Sequence, residues 1–349
     1  MVLPDYNRYN ILLSLNEDHV MTETQSNLFA NTDAVIAALG DVKTEIGKAV
    51  FGQEHVVELV LSAVLSGGHA LLVGAPGLAK TRLVEATATA LGIDSGRVQF
   101  TPDLMPSDIL GSEVLDESPS GNRSFRFIKG PIFTSLLMAD EINRASPRTQ
   151  SALLQAMQEH QVTIAGVNHD LPAPFHVLAT QNPVEQEGTY PLPEAQLDRF
   201  LLKIDVNYPD AETERRILID TTSGAEKSVN PALTAEKLLM IQHLVRNMPV
   251  PEKVVNSILE LTRSARPEQS DDPRIKTRVE WGPSPRAGQA LMLTTRARAL
   301  LRGRFAPSID DVEALAEPAL AHRMSLNYDP TGQGETLSEL IADLARKAS

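Results

Sequence analysis

The chain has 349 residues, 42% hydrophobic and 22% charged, with no cysteine and a formal net charge of -13. At about one domain per 150 residues this length suits two domains, and no run of about 18 apolar residues is present to span a membrane. The missing Cys excludes a disulfide scaffold, a Cys-based zinc site and a thiol nucleophile, and the acidic balance argues against a bulk nucleic-acid binder.

Residues 1–29 are polar and aperiodic, with neither a basic leading region nor an uninterrupted apolar stretch, so they do not form a secretory signal. They are expected to be a poorly ordered extension, with Met21 as a second start, and the protein is expected to be cytoplasmic. From Thr32, apolar residues Val35, Ile36, Leu39, Val42 and Ile46 recur at helical spacing; Val56, Val57, Leu59, Val60 and Val64 mark a second helix. The short apolar run 69–74 (HALLVG), bounded by glycines, predicts a buried strand. Similar runs follow at 97–101, 135–140, 175–180 and 200–206, separated by helical stretches 81–91 and 146–160. Alternation of this kind predicts a parallel sheet covered on both faces. Segments 125–133 (FRFIKGPIF) and 161–175 (QVTIAGVNHDLPAPF) break the alternation and predict inserted β-hairpins. After Tyr208-Pro209 only helices are expected, over 210–222, 234–247, 251–266, 284–302 and 309–322. The organisation is thus an extension (1–29), an α/β domain (30–209) and a small all-helical domain (210–349). Within the last, residues 263–304 hold ten Lys/Arg against four Asp/Glu, a local +6 that leaves -19 on the remainder.

The segment Gly74-Ala75-Pro76-Gly77-Leu78-Ala79-Lys80-Thr81 lies between a predicted strand and a predicted helix, the context of a phosphate-binding loop. Backbone N–H groups at a helix N-terminus converge on phosphate oxygens. Lys80 suits the β- and γ-phosphates of ATP, and the Thr81 hydroxyl suits one Mg²⁺ position. Ala79 departs from the glycine usual before the lysine. The strand ending in Asp140-Glu141 supplies two carboxylates at the same edge of a parallel sheet: Asp140 to hold Mg²⁺ through water, Glu141 as general base toward an attacking water. Asn182, at the exit of the run 175–180, can hydrogen-bond that water or the γ-phosphate. No HExxH pair and no N-K-x-D segment occur, which disfavours a zinc hydrolase and GTP. His160, His169 and His176 surround a predicted hairpin and are expected to be solvated, and Trp281, the only Trp, is expected to pack the helical domain on the α/β one.

Together the loop GAPGLAKT, the string MADEINRASPRTQSALLQAMQE, the exit LATQNP and PLPEAQLDRF resemble the MoxR family of AAA+ ATPases, over about residues 50–208 and less specifically through GPSPRA (282–287). Ala79 matches that family's own variant loop. The resemblance implies a P-loop NTPase AAA+ core with inserted hairpins and a helical lid, Mg²⁺-ATP hydrolysis, and a ring, commonly a hexamer. Further implied are chaperone-like work on partner proteins, some with a von Willebrand factor A domain, and a base-binding segment at Phe51-Gly52-Gln53. By motif position Arg199 (LDRF) matches the finger that reaches a neighbouring subunit's γ-phosphate; Arg144 and Arg148 are rivals for that role. Arg286 (GPSPRA) matches the second sensor, which contacts the nucleotide of its own subunit. An AAA+ nucleic-acid motor or a metal-chelatase-type subunit is the alternative use of the same engine.

Overall fold

The structure is a computed structural model and describes residues 32–117, 123–183, 188–222, 228–327 and 335–349; the expected extension, 1–29, lies outside them. Helix α1 (Thr32–Gly47) buries the single stripe Val35, Leu39, Val42 and Ile46, whereas α2 (Glu54–Leu65) is apolar all round and buried on nearly every side. Strand β1 (Ala70–Val73) follows, then α3 (Lys80–Leu91), β2 (Ser95–Gln99) and a short α4 (Pro106–Leu110). A hairpin of β3 (Gly111–Glu117) and β4 (Arg123–Lys129) precedes β5 (Leu136–Asp140). Next come α5 (Pro147–Glu159), a second hairpin of β6 (Gln161–Ile164) and β7 (Val167–Asp170), β8 (His176–Gln181), a short α6 (Glu194–Leu197) and β9 (Leu202–Asp205).

The five central strands pair in the order β2-β5-β8-β1-β9, all parallel, with Ala70 opposite both Leu178 and Leu202. Alternate residues serve opposite faces, as strand pleating requires. Leu136 and Met138 of β5 join a core with α1 to α3, while Leu137 and Ala139 join a second core with α5 and Phe200. The C-terminal ends of β1, β5 and β8 therefore share one edge, and residues such as His69 and Leu201 lie at the other.

The remaining helices are α7 (Ala211–Thr222), α8 (Ala235–Asn247), α9 (Glu252–Ser264), α10 (Pro273–Arg278), α11 (Pro285–Leu301), α12 (Ile309–Leu320) and α13 (Leu337–Lys347). They do not form a separate core: Leu238, Ile258, Leu291, Leu315 and Leu340 belong to the same apolar cluster as Leu72 and Leu178 of the sheet. Helices α10 and α13 were not expected from the sequence. Nor was the two-stranded ladder of β10 (Val279–Trp281) and β11 (Ser325–Leu326), in which Trp281 stands opposite Ser325.

The first hairpin also differs from expectation. Residues 123–129 pair with 111–117, not with the residues that follow them. Gly130 turns the chain back toward the sheet so tightly that a Cβ there would meet Ile109 O at 2.2 Å. The second hairpin forms as read, turning at Ala165 and Gly166, both with positive φ (48° and 83°).

The histidines correct a further expectation. His176 is 1% exposed. Its Nδ1 faces Gly68 O at 2.9 Å, and its Nε2 faces the Gln242 amide at 3.0 Å. His69 beside it accepts the Val177 N–H at Nδ1 (2.9 Å), and His160 is largely buried against the rings of His69 and Phe175. His169 stacks on Phe127 of the first hairpin, with 4.1 Å between ring centres. Burial pushes His176 from an ordinary 6.5 down to about 4. The unfolded chain thus takes up the proton first, and stability falls as pH drops from 6.5 toward 4. At pH 5 this single ring costs about 2 kcal/mol. Thermal unfolding followed at pH 7 and pH 5 is expected to show a smaller acid-induced fall in Tm for His176→Asn than for the parent; an equal fall would place the acid sensitivity elsewhere.

Candidate active site

The loop of residues 74–79 joins β1 to α3. Gly74 donates its N–H to Gln181 O (3.2 Å), and a Cβ on Gly74 would lie 2.6 Å from Val206 O, so only glycine fits between the neighbouring backbones. Gly77 and Ala79 both turn left-handed, with φ of 84° and 56°. Ala79 adopts the conformation a glycine would take without strain, at a cost of about 1 kcal/mol. No side chain caps α3, which leaves its first-turn N–H groups directed into the loop. Lys80 Nζ is held inside the same curve, donating to Gly74 O (2.6 Å) and Ala75 O (2.9 Å). Partial burial lowers its pKa, while Asp140 and Glu141 pull the other way; both expected carboxylates thus face the loop lysine. Thr81, the next residue of α3, is half-buried.

Strand β8 lies between β1 and β5, so Asp140 reaches the loop across one intervening strand. That strand contributes Thr180, which sequence reasoning passed over. Its hydroxyl donates to Asp140 Oδ1 (2.6 Å) and accepts the Glu141 N–H (2.9 Å), fixing both carboxylate residues at once. Glu141 itself is left-handed, φ 55°, which turns its side chain out of the strand direction. Two β2 side chains close the site from the far side. Arg97 donates to Asp140 Oδ2 (2.6 Å) and to Gln99 Oε1 (3.0 Å), and Gln99 donates to Glu141 Oε2 (2.8 Å). Arg144 also reaches Glu141 Oε2 (3.1 Å), so this rival for a trans role is engaged within its own chain; Arg148 is exposed in the first turn of α5. The signal for Arg97 and Gln99 was a polar pair at i and i+2, the same face of a strand. Asn182 is buried just past the end of β8. Gln53 donates to Leu78 O (3.3 Å), which brings the expected base-binding segment against the loop, and Phe51 lies under Arg216, 4.8 Å from the ring centre.

The two motif arginines lie elsewhere. Arg199 precedes β9, and Leu201 N–H pairs with His69 O, the residue before β1. From His69 to Gly74 the strand spans about 16 Å at 3.3 Å per residue. Arg199 therefore sits at the opposite end of the sheet from its own loop. Arg286, expected beside its own nucleotide, is brought there too: its Nε lies 4.0 Å from Asp198 Oδ2, and it is close enough to Arg199 to help burial lower that residue's pKa.

A loop of free N–H groups after β1, carboxylates on a strand one place removed, and a helical lid define the AAA+ class of P-loop NTPases. The family described as ATPase family associated with various cellular activities (AAA) matches residues 69–202, and an AAA lid domain matches 272–344. The chain is 42% identical over 288 residues to the chaperone MoxR1 of Mycobacterium tuberculosis (82% of this chain, 75% of that one) and 39% identical over 307 residues to YeaC of Bacillus subtilis (88% and 92%). It is 33% identical over 319 residues to the protein MoxR of Methylorubrum extorquens (86% and 91%). A solved structure of a candidate ATPase from Cytophaga hutchinsonii is similar at TM-score 0.85 and 36% identity, covering 94% of this chain and 98% of its own. The chain belongs to the MoxR family of AAA+ ATPases.

Proposed function

We propose that the chain hydrolyses ATP with Mg²⁺ as one subunit of a ring, a hexamer by family analogy, and uses turnover to remodel or mature a partner protein. The observation that carries this is the arrangement at one sheet edge: a loop of free N–H groups with Lys80 at its centre faces Asp140, Glu141 and the Thr180 that orders them. In that arrangement residues 74–81 cradle the phosphates, and Lys80 exchanges its two loop carbonyls for phosphate oxygens. Glu141 takes a proton from the attacking water, and Asn182 orients that water or the γ-phosphate. The hard oxygens of Thr81 and Asp140 fit Mg²⁺, which binds through one or two such groups plus phosphates. It would supply charge neutralisation on the phosphates; Arg97 is the cation on Asp140 in this structure. Arg199 and Arg286, a strand's length from their own loop, are assigned to an adjoining subunit's phosphates.

A protein client is favoured over nucleic acid by how the basic excess is used. Arg298 and Arg304 pair with the buried Asp311, Arg302 with Glu58, and Arg274 with Asp272, Glu335 and Asp343. Four of the ten cations in 263–304 are thus committed to carboxylates of the fold. The hairpins instead expose apolar side chains, Phe125 (71%) with Leu115 beside it and Val167. No described helix is long and apolar enough to cross a membrane.

Equilibrium binding of a fluorescent ATP analogue tests the site. Lys80→Ala removes a charge-assisted contact and is expected to weaken binding at least about tenfold, with the fold retained. Unchanged affinity would remove the loop from the nucleotide site.

A further inference from the structure

Around Arg199 the lid and the sheet are joined chiefly through a buried arginine. Arg323, in the turn after α12, is 1% exposed. Its guanidinium donates to Asp198 Oδ1 (2.6 Å), Asp198 O (3.1 Å), Phe200 O (2.6 Å), Leu201 O (3.1 Å) and Ala319 O (2.5 Å). Carbonyls on both sides of Arg199 are therefore held by the lid, and His322 adds a second bond to Phe200 O (2.9 Å). The other oxygen of Asp198 accepts from Ser284 Oγ (3.0 Å) and faces Arg286 Nε at 4.0 Å. Ser284 is also the N-cap of α11, accepting the Arg286 N–H, so one carboxylate sets the start of that helix and the arginine it carries. Arg199 is held from the other side by its bond to Leu154 O (2.7 Å).

Two guanidiniums, those of Arg323 and Arg286, thus share the carboxylate of the residue just before Arg199. Arg323 is consumed in the fold, whereas Arg199 and Arg286 remain half-buried at the surface. Two like charges kept side by side form a site for an anion with several oxygens, and their own loop lies about 16 Å off.

We propose that Asp198 and Arg323 are positioning residues that hold Arg199 and Arg286 as one cationic pair for the triphosphate of an adjoining subunit, so that the lid of each subunit governs hydrolysis in its neighbour. The proposal rests on the shared-site reading above.

The test uses the full chain, with ring assembly and thermal unfolding followed for every variant. Asp198→Asn keeps an acceptor for Arg323 but loses the charge that restrains Arg286. It is expected to bind ATP within about twofold of the parent and to turn over at least about tenfold more slowly, since small misplacements of a catalytic group cost up to 10²-fold. Mixed with Lys80→Ala, which keeps intact arginines beside a dead loop, it should regain activity. In a random equimolar ring about one interface in four joins an intact loop to an intact arginine pair. A defect confined to the variant's own fold would not be repaired by a neighbour. If Asp198→Asn fails to fold, Ser284→Ala, which leaves the buried pair in place, is expected to show the same trans-repairable loss at smaller size. Parental turnover in the folded variant overturns the proposal. So does a loss that Lys80→Ala subunits leave unrepaired while they do repair Arg199→Ala. If Arg199→Ala itself is not repaired, the shared site is wrong and the proposal falls with it.

Discussion

Glu141→Gln is expected to retain ATP and lose its hydrolysis by about 10²–10⁴, the usual contribution of a positioned general base. The substitution removes the basic oxygen pair and little else. The Glu141 backbone stays fixed through its N–H bond to Thr180, and the amide oxygen can still accept from Gln99 or Arg144. Asp140 keeps its own bonds to Thr180 and Arg97 and is untouched. Binding and turnover should therefore separate: nucleotide trapped on the protein stays ATP over many parental turnover times, and phosphate release stops. Release at the parental rate would show that another group takes the proton. Gln99 sharpens the expectation. It shares Glu141 Oε2 with Arg144 in this structure, so Gln99→Ala should remove one of the base's two side-chain partners and change turnover, and in the Glu141→Gln background it should change nothing further.

The loop, the carboxylate strand and the order of strands and helices were legible because each is written in neighbouring residues. A glycine-bounded apolar run, a helix start and a strand ending in Asp140-Glu141 need no distant partner to be recognised. What could not be read depends on contacts far apart in the chain. Arg323 meets Asp198 across 125 positions, and Glu58 meets Arg302 across 244. Only the packing of lid on sheet, through one continuous core, brings such pairs together. The same packing brings Arg286 to within 4.0 Å of Asp198, the residue before Arg199. His176 was misread for a similar reason. It begins β8 opposite Leu136, and Gln242 of α8 covers it, a partner 66 residues away. Strand β3 was missed because it alternates poorly; its Glu113, Asp116 and Glu117 are exposed and only pairing with β4 defines it.

Arg199→Ala is expected to bind ATP like the parent and hydrolyse it 10³-fold or more slowly, as a well-placed arginine contributes roughly 10³–10⁵ to phosphoryl transfer. On the shared-site reading the loss is one between subunits. The Leu201 N–H bond to His69 O pins the segment to the start of β1, while the phosphate loop begins at its end. No rotamer of an arginine spans that separation, so within one chain Arg199 could not serve its own loop. Hydrolysis per subunit should accordingly rise with protein concentration as subunits assemble, in step with the assembled fraction seen by sedimentation. Mixing Arg199→Ala with Lys80→Ala, each inactive alone, should restore part of the parental rate, because some interfaces then join an intact loop to an intact arginine. Full turnover by a dilute, demonstrably monomeric sample would refute the shared site. So would silence at every mixing ratio once mixed assemblies have been verified. With the site shared, Arg199→Ala should also slow the neighbour of each variant subunit rather than the variant itself, and titrating it into parental protein should lower the rate in proportion to the interfaces it supplies.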